Sequence, residues 1–327
     1  MSPDDLSFAE CLNVVDQLSV NSPLILVLSG GEPLWRRDVF DIARYAVARG
    51  IRVALATNGT LVDEAMADRI KAAGIERVAI SLDGATPETH DGFRGIEGAF
   101  RAAVWGLECL KKAGISTQIN STVTRHNVGE LAALLEFASR TGVTAFHLFL
   151  LVPVGCGLSI MEEDSVGPRQ AEEILTWFYE QSLTSNLELK ATCAPHYYRI
   201  VRQRRADARR AGVALAPLPT HGMHAMTKGC LAGTGVCFVS HQGEVYPCGY
   251  LPVSAGNLRQ EAFRKIWDHA EVFARLRHPE ELEGKCGICE FRQVCMGCRA
   301  RAFGMTGNYM AEEPGCDYQP RACSAVQ

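Results

Sequence analysis

The residues of this chain whose type and spacing could do chemistry are eight cysteines. They run Cys230, Cys237, Cys248, then Cys286, Cys289, Cys295 and Cys298, and last Cys316. Two CxxC pairs, Cys286/Cys289 and Cys295/Cys298, stand five residues apart. Eight thiols divide into two sets of four, the ligand count of a structural zinc or of a 4Fe-4S cluster. Disulfides fit poorly, because the opening MSPDDLSFAE carries no basic, apolar leader and thirteen cysteines is an odd number. A zinc ribbon separates its CxxC knuckles by ~15–20 residues. The shorter spacing here, with three more cysteines upstream, favours iron and sulfide.

A second group surrounds Cys193 in Lys190-Ala-Thr-Cys193-Ala-Pro-His196-Tyr197-Tyr198-Arg199. Arg199, Arg202, Arg205 and Arg209 follow at helical spacing and predict one basic stripe. Such a stripe is either a solvated face or a carboxylate-binding one, since guanidinium groups pair bidentately with carboxylates. Further on, apolar alternation around His241-Gln242-Gly243-Glu244 predicts a hairpin that draws Cys237 and Cys248 together. His241 at its tip is by default a turn residue.

Among the elements that must hold these groups is a first helix, where Ser7 and Glu10 form a capping box ahead of the apolar stripe Phe8, Leu12, Val15 and Leu18. A short apolar run, 24–28, reads as a buried strand ending in Ser29-Gly30-Gly31-Glu32-Pro33. The unit then recurs. Helices ending at Gly50, Gly74, Gly114 and Gly142 alternate with strands near 52–56, 78–82, 117–123 and 144–151. Five strands alternating with helices imply a parallel sheet with right-handed crossovers. Ligands of such sheets gather at the C-terminal strand ends, which here carry Gly30, Gly31, Glu32 and Pro33, then Thr57 and Asn58, then Ser81 and Asp83. None of these is a GxGxxG or Walker loop. Residues 215–226 read as a connector or lid.

With 327 residues and a net charge of −4, the chain shows no nucleic-acid surface. Its longest apolar run, 146–154, is too short to span a bilayer and contains His147 and Pro153. A cytoplasmic protein is expected.

GGEP after one strand, Thr-Asn-Gly after the next, Ser-x-Asp after the third and the cysteine array together resemble a radical S-adenosylmethionine (SAM) enzyme with a SPASM-type domain. The resemblance covers nearly the whole chain. It implies a partial (β/α)6 barrel lacking its first strand over 1–152, connecting helices and a substrate-side segment over 153–228, and a small cysteine-rich α+β domain over 229–327. Gly30, Gly31 and Glu32 would meet the methionyl amine of SAM, with Pro33, Thr57 and Asn58 on the same rim, and Ser81 and Asp83 would face the ribose. Cys230, Cys237, Cys248 and Cys298 would hold one auxiliary 4Fe-4S cluster, and Cys286, Cys289, Cys295 and Cys316 the other.

The CxxxCxxC loop that binds the catalytic cluster of such enzymes does not occur in this sequence. Family order would set it just upstream of residue 1, beside the absent strand. The expectation is therefore an N-terminally truncated chain that does not cleave SAM by itself, with a third, catalytic cluster supplied upstream.

Within that group, residues 190–199, 232–257 and 286–302 are most similar to the haem b synthase family and its relatives in haem d1 biosynthesis. The implied reaction is oxidative decarboxylation of two propionates of iron-coproporphyrin III to vinyls. A 5′-deoxyadenosyl radical takes a β-hydrogen, carbon dioxide leaves, and an auxiliary cluster accepts the spare electron. The resemblance would give the propionates to Arg199, Arg202 and Arg205, the porphyrin iron to His196 or His241, and cluster reduction to a ferredoxin or flavodoxin. A SPASM-type ribosomal peptide maturase, or a noncatalytic iron-sulfur or zinc protein, are the alternatives.

Overall fold

In the computed structural model, residues 4–20, 23–217 and 228–321 are described. Most of the expected connector, and Cys323, lie outside them. The chain opens with α1 (Phe8–Ser19), where Ser7 and Glu10 form the expected capping box. Five strands alternating with helices follow: β1 (Ile25–Leu28), α2 (Val39–Ala48), β2 (Arg52–Thr57), α3 (Glu64–Ala72), β3 (Arg77–Ser81), α4 (Pro87–Arg94), α5 (Ala99–Lys112), β4 (Ser116–Val123), α6 (Leu131–Thr141) and β5 (Ala145–Leu150). Then come α7 (Met161–Asp164), α8 (Pro168–Ser182), β6 (Glu188–Thr192) and α9 (His196–Arg210). Short elements complete the chain: β7 (Phe238–Val239), β8 (Glu244–Tyr246), β9 (Gly256–Asn257), α10 (Phe263–His269), α11 (Glu271–Leu276), α12 (Gly284–Ile288) and α13 (Arg299–Thr306).

The strands form one six-stranded sheet in the order β1-β2-β3-β4-β5-β6 and a second of β7-β8-β9. Parallel register runs Leu28↔Leu55, Thr57↔Ile80 and Ser81↔Asn120, so the strand ends that carry the candidate residues stay level. The α/β class and parallel sheet agree with the sequence reading. The strand count does not, because β6 joins the sheet as a sixth member. Its sequence, Glu-Leu-Lys-Ala-Thr, has only two apolar residues, and that hid it from an apolar-run criterion. β1 is not buried: Ile25 and Val27 are 39% and 53% exposed, because β1 is the outermost strand of the sheet. A further helix, α4, stands between β3 and α5, with Thr86 as its cap and Pro87 in its first turn.

Contacts divide the chain into two units. The first comprises residues 1–147, 239–245 and 256–266. Its core sets Leu55, Val78, Ile80 and Ile119 of the strands against Ala43, Ala46, Ile70, Ala103, Leu107 and Leu110 of the helices, all at most 1% exposed. Each such Leu or Ile contributes roughly 1.5–3 kcal/mol. The second unit comprises residues 148–238, 246–255 and 267–327. In it Phe178 of α8 packs on Tyr197 of α9, ring centroids 5.8 Å apart, both nearly inaccessible.

Candidate functional site

In the first unit the ends of β1 and β2 are tied together through Glu32. Its carboxylate accepts the Thr57 hydroxyl (2.7 Å), the Asn58 N–H (2.9 Å) and the Leu34 N–H (3.1 Å). Pro33 is buried and starts a single 3-10 turn, Pro33–Trp35, that Glu32 caps. Gly30 has φ +146°, a conformation that side-chain-bearing residues rarely adopt, and added Cβ atoms on Gly30 or Gly31 would meet nothing within 4 Å. The rim thus offers an exposed glycine pair beside a carboxylate. Three donors leave a carboxylate spare lone pairs, so Glu32 can still accept from an ammonium group.

Ser81 ends β3 half-buried, while Asp83 is fully buried. The Asp83 carboxylate accepts Thr122 N–H (2.8 Å) on one oxygen and Arg94 Nε (2.7 Å) on the other. Its own N–H donates to His90 Nδ1 (3.0 Å), and its carbonyl accepts Asn127 Nδ2 (2.7 Å). Burial, the largest cause, pushes the His90 imidazole below its ordinary range, which keeps Nδ1 an acceptor. These contacts fit Asp83 to hold the ends of β3 and β4 in place. His90, Arg94 and Asn127 carried no motif that spacing alone could reveal.

In the second unit Cys286, Cys289, Cys295 and Cys316 line one pocket, the four residues expected to share a cluster. Among the described residues no three thiol, imidazole or carboxylate groups close tightly enough on one point to hold a single ion. The thiols ring a space instead. Burial pushes Cys316 up to about 11 and raises Cys289 and Cys295 as well. Alone, such thiols stay protonated; holding them as thiolates takes the positive charge of a bound metal group. Arg199, Lys285 and Arg292 also line the pocket and suit an anionic thiolate assembly.

Two donors in this wall are unanswered. Among the described residues, His196 is 1% exposed with no hydrogen-bond partner for either ring nitrogen, and Arg199 is 2% exposed with none for its Nε. The other Arg199 nitrogens pair with Glu172 and with Gln203 Oε1 (2.6 Å), and its guanidinium lies 4.6 Å from the Tyr318 ring centroid. Burial first, with nearby arginines adding to it, lowers His196 to about 4. A sulfur-rich group seated among the four cysteines would give both donors an acceptor, so the residues present fit an iron-sulfur cluster.

The other set is less uniform. Cys230, Cys248 and Cys298 influence one another electrostatically, whereas Cys237 is raised to about 11 by burial alone. Cys193, left outside both sets on sequence grounds, hydrogen-bonds to Cys298, which raises its own thiol and lowers that of Cys298. Cys193 thus lies within the influence of Cys248 and Cys298, the two thiols that also interact with Cys230.

A buried frame that the sequence did not suggest holds both sets. Glu313, fully buried, accepts the Cys298 N–H and the Gly315 N–H (3.0 Å) and pairs with Arg301 Nη1 (3.3 Å). Its own N–H points at Cys286 Sγ (3.3 Å). Arg301 also donates to the carbonyls of Leu151 (3.1 Å) and Cys193 (2.9 Å). Gly297, at φ +65°, permits this: a Cβ there would lie 2.5 Å from Arg299 Nη2 and 2.7 Å from Glu313 Cβ.

The arginine stripe divides. Arg199 lines the pocket, Arg202 and Arg209 are exposed, and Arg205 donates to the Ala216 carbonyl (2.7 Å). His241 is exposed in the 240–243 turn of the first unit, its carbonyl accepting the Leu6 N–H (2.6 Å). It is not among the residues lining the cysteine pocket.

The sequence pattern of the Radical SAM superfamily matches residues 2–138, and that of the SPASM iron-sulfur cluster-binding domain matches residues 230–298. An AdoMet-dependent heme synthase of Methanosarcina barkeri is 52% identical over 97% of this chain and 88% of its own length. One of Oleidesulfovibrio alaskensis is 46% identical over 98% of this chain and 81% of its own. Among solved structures, Streptococcus suis SuiB bound to S-adenosylmethionine superposes with a TM-score of 0.69 at 16% identity, covering 94% of this chain and 69% of that one. No described helix is long and apolar enough to cross a membrane. The chain belongs to the radical SAM superfamily of enzymes, in the SPASM-bearing family that includes the AdoMet-dependent heme synthases.

Proposed function

We propose that this chain acts in haem biosynthesis, in the radical SAM oxidative decarboxylation of iron-coproporphyrin III propionates to vinyl groups. The likeness to AdoMet-dependent heme synthases along nearly the whole chain carries this reading. On it, residues 1–152 are the SAM-binding part, 153–228 the connecting and substrate-side part, and 229–327 the part that holds two auxiliary 4Fe-4S clusters. SAM and the clusters supply radical initiation and electron acceptance when bound, and the protein binds, orients and excludes water. Glu32 accepts the methionyl ammonium beside Gly30 and Gly31, with Ser81 at the ribose. Cys286, Cys289, Cys295 and Cys316 hold one cluster. Cys230, Cys248 and Cys298 hold the other, with Cys237 as its expected fourth ligand. Exposed Arg202 is free to meet a propionate. A ferredoxin or flavodoxin is the proposed electron donor.

The sequence contains no CxxxCxxC triplet, so the test has two arms. The 327-residue chain, purified and reconstituted without oxygen, is expected to hold about eight irons with matching sulfide and to shift the absorption of added iron-coproporphyrin III. The gene's whole open reading frame, given SAM and a reductant, is expected to release carbon dioxide and form divinyl product. Zinc without sulfide, or porphyrin binding no better than that of an unrelated protein, would overturn the reading.

A further inference from the structure

The unanswered donors in the wall of the cysteine pocket carry an inference that rests on the cluster reading above. An imidazole buried to 1% with neither nitrogen bonded is costly: a buried unmade hydrogen bond costs roughly 1–3 kcal/mol. The chain spends two such groups, His196 and Arg199 Nε, on one wall, and both line the pocket ringed by Cys286, Cys289, Cys295 and Cys316.

Among the described residues neither group has a partner, and the nearby acceptors are taken. Nearby Glu313 is already occupied by Arg301 and by the N–H groups of Cys298 and Gly315. The remaining Arg199 nitrogens are committed to Glu172 and Gln203. An occupant seated among the four cysteines would bring sulfur acceptors to this wall. Thiolate and sulfide sulfurs accept hydrogen bonds, and an imidazole in either protonation state keeps at least one N–H.

We infer that His196, supported by Arg199 Nε, donates a hydrogen bond to a sulfur of the cluster held by Cys286, Cys289, Cys295 and Cys316, and is a positioning residue for that cluster, tuning its potential. This moves both residues away from the substrate roles expected of them. Hydrogen bonds to cluster sulfurs are among the levers that set reduction potential. They favour the reduced, more negative state, so losing one makes the potential more negative. His196 therefore makes this cluster easier to reduce than it would be without the bond.

The experiment uses the reconstituted chain and two variants, His196→Leu, which matches the volume without a donor, and His196→Gln, which restores one. Iron and sulfide per chain are counted first. The signal of this cluster is identified as the one missing in Cys295→Ser, and its potential is read by EPR-monitored titration. The inference expects a more negative potential in His196→Leu, partial return in His196→Gln, and a hyperfine coupling from 15N-histidine in the unmutated protein that both variants lack. Equal potentials in all three proteins would overturn it. So would loss of four irons from both variants, which would make His196 part of the pocket's frame only. A changed absorption of bound iron-coproporphyrin III with unchanged cluster signals would return His196 to the substrate. Absence of iron and sulfide from the unmutated protein would instead sink the cluster reading itself.

Discussion

The rim of the parallel strands and the cysteine pocket treat buried polarity in opposite ways. At the rim, Glu32 and Asp83 are answered from within the chain, the first by Thr57, Asn58 and Leu34, the second by Arg94 and Thr122. Only two hydroxyls near the end of β4, Ser121 and Thr124, lack a partner among the described residues there. In the cysteine pocket a whole imidazole and a guanidinium Nε lack one, beside thiols that burial keeps protonated. The carboxylates of the rim are answered before any ligand is added. The pocket is a structure that its ligand completes.

The sharpest way to break this contrast is Cys295→Ser. Cys295 is buried in the pocket wall, and a neutral hydroxyl replaces a thiolate ligand poorly. About half of the bound iron, roughly four of eight, should be lost, while SAM affinity stays unchanged in equilibrium dialysis. If iron content survives, the four cysteines are not one ligand set. If SAM affinity falls as well, the rim is not self-sufficient.

The converse test strikes the rim. Asp83→Asn keeps an acceptor for the Thr122 N–H but turns an amide toward Arg94. A hydrogen bond to a charged group contributes about 1.5–3 kcal/mol. Arg94 is 35% exposed and can turn to water, so the expected loss is near ~1.5 kcal/mol. It should be seen as a lower denaturation midpoint with iron and sulfide unchanged. Loss of iron would mean that rim and pocket are one cooperative structure.

The same contrast explains what could be read from the sequence. Strand-end motifs were legible because a strand, a tight turn and a helix cap leave local marks: Gly-Gly-Glu-Pro, Thr-Asn-Gly and the glycines after α2, α3, α5 and α6. The cysteines were legible because ligand spacing is also local. The frame behind them was not. Glu313 reaches Cys298 across fifteen residues, and Arg301 reaches Leu151 across 150, pairings that no spacing rule anticipates. Arg199 and Arg202 look equivalent on a helical wheel, yet one is buried and one exposed, because α8 covers the start of α9 and brings Glu172 to Arg199. β6 was missed for a related reason, since membership of the sheet rather than its own apolar content makes it a strand.

The smallest expected effect separates the two regions most cleanly, because its sign depends on the cluster. Without metal, His196 carries the penalty of an unbonded buried imidazole, and leucine of similar volume removes it at little packing cost. Metal-free His196→Leu should therefore be more stable than the unmutated chain, by about 1 kcal/mol. After reconstitution the order should reverse, since only histidine then has a bond to make. Chemical denaturation of both proteins, with and without iron and sulfide, reads the two signs directly. Destabilisation in both states would mean that the imidazole is held by packing alone, and the pocket would then be as settled without its ligand as the carboxylates of the rim are.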